Sequence, residues 1–197
     1  MKKDVLQHFF LHILLWVMKM WSMEYMVLYH CAPVLMEIRS GCTITINRSG
    51  YREFAVIMEA WNADYIILSA EQDKMIIIVY CIELLRRRLA LDEGRKFLDG
   101  FGYKEYDCPS CFEKIKDRYG LYRNGVTGFP HEIGFFLDYP IEDMKLFIKN
   151  EGKNYIFCGY WKVYQCLEQA RLTFREYDEA KDIVMGKALI NTSGHKL

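Results

Sequence analysis

Three residues of this chain have the types that thiol chemistry requires. Cys31 supplies a thiol, and His131 supplies an imidazole base 100 positions further along the chain, next to the carboxylate of Glu132. Nucleophilic thiol catalysis needs a thiolate, a base that generates it and a group that orients the base. The sequence therefore offers Cys31 as a nucleophile and His131 as its base. Glu132 points elsewhere on a helix, which favours a role in opposing the helix dipole.

Cys31 and His131 each lie within two positions of a proline that predicts a helix start. Cys31 stands two positions before Pro33, and His131 directly follows Pro130. The positive end of a helix lowers the pKa of a thiol and keeps an imidazole neutral. Two such helix starts, if they converge, would form a small anion-attracting pocket. The plainer alternative makes Cys31 a small buried hydrophobe and His131 a hydrogen-bonded packing residue.

Metal binding and dithiol redox are the other chemistries that the sulfur-containing residues suggest. Nitrogen, sulfur and oxygen ligands of the kinds that zinc accepts occur in His30, Cys31, His131 and Glu132. Adjacent His30 and Cys31 do not have a chelating spacing, so we assign no metal. Cys108 and Cys111 form a CxxC at a predicted helix start, which suits dithiol redox. No thioredoxin-like βαβ pattern precedes them, and structural thiols are therefore favoured.

The segment 159–164 carries further candidate binding residues. On a strand, Trp161 and Val163 would face one side, while Lys162 and Tyr164 would face the other and meet an anionic ligand. The alternative is a solvated Lys162 beside core aromatic residues. The chain has no glycine-rich phosphate loop, no pair of catalytic acids and no serine nucleophile elbow. The sequence leaves the cofactor unknown. The candidate binding residues are thus His30, Glu132, Trp161, Lys162 and Tyr164.

The elements that must position these residues are helices around a small sheet. Residues 42–46 alternate and are β-branched, which predicts a strand. The nearly continuous apolar runs 65–68 and 75–80 predict a hairpin of central strands with both faces covered. Amphipathic helices are predicted around these strands, with a break at Pro33. We expect a single α+β domain with a small, mostly antiparallel sheet covered by helices.

The limits of that domain follow from the two ends of the chain. The apolar run near the N-terminus lacks a small-residue cleavage site, and Lys19 and Glu24 interrupt it before it could span a bilayer. We interpret residues 1–22 either as an amphipathic helical extension or as a segment upstream of a true start at Met23. Residues 23–184 form the predicted domain and 185–197 a loose tail. A cytoplasmic protein without a membrane span is expected.

Composition narrows the class of partner. The chain is 52% hydrophobic and 15% aromatic, which predicts a packed core. Its 26 basic residues balance 26 acidic ones, so neither nucleic acid nor an anionic membrane is an expected partner. Seven cysteines are an odd number, which fits reduced intracellular thiols better than a secreted disulfide framework.

Three segments carry a resemblance to a known family. They are His30-Cys31-Ala32-Pro33-Val34-Leu35, Phe129-Pro130-His131-Glu132-Ile133-Gly134 with the residues up to Asp143, and Gly159-Tyr160-Trp161-Lys162-Val163-Tyr164. With them the chain, from about Met23 to about Val184, resembles the bacterial domain-of-unknown-function family 3793, typical of anaerobic Gram-positive bacteria. It departs from the family pattern at Val34, where a hydroxyl is usual, and at Asp138, where glycine is usual. Cys81-Ile82 also stands where the family tends to carry Arg-Pro.

The resemblance implies a fold and a candidate site but no reaction, so alternatives for the function stay open. The leading hypothesis is an intracellular small-molecule-binding or regulatory domain with a Cys/His pocket. The rival is a thiol-dependent hydrolase or transferase in which Cys31 attacks, His131 is the base and Lys162 holds an anionic substrate group. A third is a protein-interaction module that uses an aromatic surface. An enzyme would require Cys31 and His131 within hydrogen-bonding reach in a cleft.

Overall fold

A strand that is apolar on both faces forms the centre of the sheet in the computed structural model, which describes residues 22–193. Strand β3 (Lys74–Tyr80) pairs antiparallel with β1 (Gly41–Asn47) on one side and with β2 (Asp64–Glu71) on the other. A second sheet consists of β4 (Phe157–Cys158) and β5 (Lys162–Val163). The helices are α1 (Met23–Leu35), α2 (Tyr51–Ala60), α3 (Ile82–Ala90), α4 (Asp92–Asp99), α5 (Cys108–Arg123), α6 (Ile133–Phe136), α7 (Ile141–Lys149) and α8 (Leu167–Ser193). The predicted α+β class is confirmed.

Alternation along β3 divides the core into two clusters. Ile77 and Val79 pack on one face with residues of α1, α2 and α8, which we call the α1 cluster. Ile78, on the other face, packs with residues of α3 to α7, which we call the α5 cluster. Successive side chains of a strand point to opposite faces, so one strand contributes to both clusters. Helices on both sides of the sheet thus leave the middle of β3 without contact with solvent.

Three features differ from the sequence-based expectations. Strand β2 lies at an edge of the sheet rather than in its centre, because β1 occupies the other side of β3. Helix α1 continues through Pro33 instead of breaking there, since proline in the last turn removes only one helical hydrogen bond. Helix α8 extends to Ser193, where a loose tail from residue 185 was expected, and Met185 packs against the α1 cluster.

The predicted extension 1–22 lies outside the described residues except for Ser22, whose side chain caps α1.

Two arginines hold the turn that follows α6. Buried Arg39 donates through Nε and Nη2 to the carbonyl oxygen of Leu137, at 3.1 and 3.0 Å. Arg88 donates to Asp138 Oδ1 at 3.1 Å and to the carbonyl of Tyr139. The backbone N–H of Ser40 donates to the other Asp138 oxygen at 3.3 Å. These bonds join residues 137–139 to the segment that directly precedes β1 and to α3.

Asp138 adopts a left-handed backbone conformation, with a φ of 65°. Glycine adopts this conformation at least cost, and the resemblance described above implies glycine at this position. Asp138 is tolerated because aspartate accepts left-handed φ better than most residues and because its carboxylate pairs with Arg88. The left-handed backbone at Asp138 is therefore compensated locally by an ion pair.

The division of the core predicts the effect of a charge in the middle of β3. Ile77 is fully buried, so Ile77→Asp would place an unpaired carboxylate in the core and destabilise the protein by several kcal/mol. Thr45→Asp, on the exposed face of β1, should cost only about 1 kcal/mol, because aspartate is disfavoured in a strand but its carboxylate stays hydrated there. Urea denaturation followed by circular dichroism measures both. Equal stability of the two variants would contradict the burial of β3.

The turn at Asp138 gives a second prediction. Asp138→Ala removes the partner of a mostly buried guanidinium and keeps a Cβ in the left-handed region, at a cost of about 2–4 kcal/mol. Asp138→Gly removes the same carboxylate without that backbone strain, so it should be less destabilising by about 1 kcal/mol. Thermal unfolding of the two variants distinguishes them. A glycine variant that is less stable than the alanine variant would exclude backbone strain at this turn.

Candidate functional site

A mainly apolar cavity lies where α6, α7 and β5 meet. Its volume is about 180 Å³. Half of the residues that line it carry a ring, and one carries a formal positive charge. The lining residues are Phe129, His131, Ile133, Gly134, Tyr139, Asp143, Met144, Phe147, Trp161 and Lys162. The cavity therefore contains residues from two of the three segments that the family resemblance marked.

Two short helices form one side of the cavity. Helix α6 begins at Ile133 after Glu132, not at Pro130 as predicted, because the carbonyl of Pro130 accepts from the N–H of Ile133 in a preceding turn. Helix α7 has Pro140 immediately before its first residue, and acidic residues occupy its first turn, where they oppose the helix dipole. Ile133 and Met144 also belong to the α5 cluster, so this side of the cavity is fixed to the core.

A buried carboxylate joins α7 to β5. Asp143 is 3% exposed. Its Oδ2 accepts from Trp161 Nε1 at 2.8 Å, and its Oδ1 accepts from the backbone N–H groups of Tyr164 and Gln165 at 2.9 and 3.2 Å. Hydrogen bonds to an ionised acceptor are stronger than those between neutral groups. Asp143 thereby fixes the plane of the Trp161 indole, which forms a wall of the cavity.

The absence of a side chain at Gly134 lets α6 lie close to Met144 and Tyr139. A Cβ at this position would lie 2.9 Å from Met144 Sδ and 2.9 Å from the Tyr139 ring. Contacts this short require neighbouring atoms to move. Glycine at this position therefore lets both side chains occupy their places in the cavity wall.

Lys162 is the one formal cation among the described lining residues. Its ammonium donates to the carbonyl of Gly152 at 2.8 Å and lies 4.8 Å from the centre of the Tyr155 ring and 5.7 Å from that of Phe147. Within residues 22–193 no carboxylate forms an ion pair with it. An ammonium has three N–H groups, and Gly152 uses one of them. Its other two N–H groups have no hydrogen-bond partner among the described residues.

His131 lies between two aromatic rings and is half-buried. The centre of its ring is 5.4 Å from that of Phe129 and 5.4 Å from that of Phe147. Burial lowers the pKa of His131, and the charge of Glu132 opposes this only in part. The imidazole is therefore neutral near pH 7. Glu132 is fully buried and forms an ion pair with Arg118, so its side chain is directed away from the cavity.

The remaining predicted binding residues lie outside the cavity lining. Tyr164 contributes its backbone N–H to Asp143 rather than its side chain. His30 is exposed on α1, and its ring contacts Tyr29 edge to face at 5.9 Å. The structure therefore brings His131, Trp161 and Lys162 together, while His30, Glu132 and Tyr164 do not line the cavity.

Cys31 does not meet His131 in this cavity. It lies inside α1, near the C-terminal end of the helix rather than at its start, and it is fully buried in the α1 cluster. A hydrogen bond with Cys42 and burial raise the pKa of Cys31. The helix dipole is unfavourable to a thiolate at that end. The expected convergence of the thiol with the imidazole is therefore not observed.

The CxxC cysteines are also buried. Cys111 donates its S–H to the carbonyl of Glu105 at 3.4 Å, and burial raises its pKa to about 12. Burial raises the pKa of Cys108 as well. A reactive dithiol needs a lowered thiol pKa, so these environments suit packing better than redox exchange. In the described part of the chain no group of histidine, cysteine and acidic residues could hold a metal ion.

Several residues of the site were not found from the sequence. Asp143, Met144 and Phe147 recur at helical spacing on α7, a pattern that predicts only a buried helix face. The proline before α7 and the acidic residues at its start are ordinary helix-start signals, but a buried acceptor for Trp161 has no local signature. Gly134 likewise belongs to the recognised motif without revealing that it shapes a cavity.

The fold and site can be compared with known proteins. The family model described as "Protein of unknown function (DUF3793)" matches residues 27–197. The searches of curated proteins and of solved structures found no match. Within residues 22–193 no helix is both long and apolar enough to cross a membrane.

The environments of the cysteines predict their order of alkylation. Cys158 and Cys166 are exposed, whereas Cys31 and Cys111 are buried with raised pKa values. Iodoacetamide reacts with the thiolate, so the two exposed thiols should be modified in the folded protein at pH 7.5 and the two buried ones only in denaturant. Mass spectrometry of tryptic peptides measures each site. Modification of Cys31 in the folded protein as fast as Cys166 would contradict its placement.

Proposed function

The chain belongs to the DUF3793 family, and we propose that it is a binding protein for a small molecule with an apolar body and one anionic group. The ligand occupies the cavity between α6, α7 and β5. Its apolar body packs against the rings of the cavity, and its anionic group accepts hydrogen bonds from Lys162. The observation that carries this proposal is Lys162, a residue that lines an apolar cavity and whose ammonium has no carboxylate partner in the described part of the chain.

The charge of Lys162 favours an anion over a neutral ligand. A cation against aromatic rings and a single backbone carbonyl has lost part of its hydration, and an anionic ligand would replace it with charge-assisted hydrogen bonds. The Asp143 carboxylate does not compete for Lys162, because three N–H groups already bind its oxygens. The cavity thus combines one unpaired positive charge with apolar walls.

The walls of the cavity are fixed before any ligand binds. Trp161 is held by Asp143, and Ile133 and Met144 are part of the α5 cluster. A preformed site loses little conformational entropy on binding, which favours affinity for a small ligand. Binding in such a cavity needs no covalent step.

The position of Cys31 argues against a thiol-dependent hydrolase or transferase. That function needs Cys31 as a thiolate close to His131, whereas Cys31 packs with Cys42 in the α1 cluster and its pKa is raised. His131, with a lowered pKa, remains as a neutral ring of the binding cavity. The function supported best is binding, with Lys162 as the charged contact.

Substitution of Lys162 tests the proposal. Sodium salts of straight-chain acids from butyrate to octanoate, together with benzoate, serve as probes in thermal-shift and calorimetric titrations at pH 7.5. We expect at least one probe to stabilise the protein, and Lys162→Met to weaken its binding by about tenfold to one hundredfold, because the apolar stem is kept and the charge is lost.

The matched control is Lys149→Met, which removes an exposed lysine of α7 outside the cavity lining. This variant should bind the same probe as tightly as the unsubstituted protein. If no probe binds, or if Lys162→Met binds as well as Lys149→Met, the proposed function is wrong. Circular dichroism of both variants verifies that each is folded.

A further inference from the structure

We infer that the ligand of this cavity is a planar aromatic monocarboxylate with a single ring, of about the size of benzoate. The inference rests on the proposed function and specifies its ligand. It depends on three separate properties of the cavity, which are its volume, the nature of its walls and its charge.

The volume accommodates one six-membered ring with a small substituent. The cavity measures about 180 Å³. An apolar protein cavity of about 150 Å³ is known to bind benzene. The remaining space is of the order of one carboxylate group, and Lys162 is the lining residue that carries the complementary charge. Ligands with two fused rings, nucleotides and sugars with several substituents exceed this volume.

The walls favour an aromatic ring over a saturated one. Five rings line the cavity, those of Phe129, His131, Tyr139, Phe147 and Trp161. The rings contact one another in different orientations, since the His131 and Phe147 rings are edge to face while Tyr139 and Trp161 are inclined by 36° with centroids 5.9 Å apart. Aromatic rings attract one another in offset-stacked and edge-to-face arrangements beyond the effect of buried area. A saturated ring gains only the free energy of burying its apolar surface.

The charge of the cavity favours one negative charge on the ligand. Lys162 contributes one positive charge, and His131 is neutral near pH 7 because burial lowers its pKa. Asp143 also lines the cavity, and its carboxylate would repel a second anionic group. A dicarboxylate or a phosphate dianion would therefore leave one negative charge without a partner in a mainly apolar environment, which is unfavourable.

Closely related single-ring ligands test the inference. Benzoate and cyclohexanecarboxylate differ in aromaticity, and benzoate and phthalate differ by one carboxylate. Isothermal titration of the full chain at pH 7.5 should give a Kd for benzoate about threefold to tenfold lower than that for cyclohexanecarboxylate. Phthalate should bind at least tenfold more weakly than benzoate.

A variant of one wall separates aromatic contact from general packing. Phe147→Leu replaces a ring by an aliphatic side chain, so the preference for benzoate over cyclohexanecarboxylate should fall by about half or more. If Phe147→Leu does not fold, Phe129→Leu provides the same comparison at a position that is 40% exposed. In either variant an unchanged preference would overturn the aromatic assignment.

The outcomes distinguish this inference from the proposed function. The inference of an aromatic monocarboxylate is supported if benzoate binds more tightly than both analogues and if the leucine variant reduces this preference. Binding of cyclohexanecarboxylate or phthalate as tightly as benzoate overturns the inference and leaves an anion-binding cavity in place. Failure of every monocarboxylate to bind removes the proposed function as well.

Discussion

The candidate site depends on one buried carboxylate, that of Asp143. A carboxylate in an apolar environment is unfavourable unless its oxygens are hydrogen-bonded. Here the indole N–H of Trp161 and the backbone N–H groups of Tyr164 and Gln165 satisfy it. Because Asp143 lies in the first turn of α7, the helix dipole also stabilises its charge. The same bonds fix β5 against α7, and the cavity between them follows from that contact.

A second polar contact holds the turn that precedes α7. Arg39 is 6% exposed, and its guanidinium lies between the rings of Tyr139, Tyr160 and Tyr177 at 5.7, 5.7 and 5.2 Å. Cation–π contacts and two hydrogen bonds to one backbone carbonyl replace part of its hydration. Arg39 thereby connects the segment that precedes β1 to the turn after α6 and to α8. The position of Tyr139 in the cavity wall is set by this contact.

Local patterns were sufficient to predict the fold class but not the arrangement of the site. The β-branched run in β1 and the apolar run in β3 predicted strands, since strand periodicity is visible within a few residues. Which strand lies in the centre depends on pairing between distant segments, so the edge position of β2 was missed. The family motifs marked His131, Trp161 and Lys162, which do line one cavity.

The motifs could not show that Cys31 lies elsewhere. Cys31 belongs to the cluster on one face of the three-stranded sheet, whereas Ile133 and Met144, which line the cavity with His131, belong to the cluster on the other face. Sequence adjacency to a proline predicted a helix start at Cys31, but α1 runs through Pro33. Asp143 carries no local signal of its partners, which follow it by about 20 residues.

The central claim is that a ligand ring enters the cavity beside Met144, whose side chain lines it. The most direct measurement is a titration with benzoate followed by methyl NMR of 13C-labelled methionine, with Met144 assigned through Met144→Leu. We predict a saturable ring-current shift of the Met144 methyl, while the methyl of Met58, buried in the α1 cluster, stays unchanged. A Met144 methyl that does not move while benzoate binds would contradict the claim.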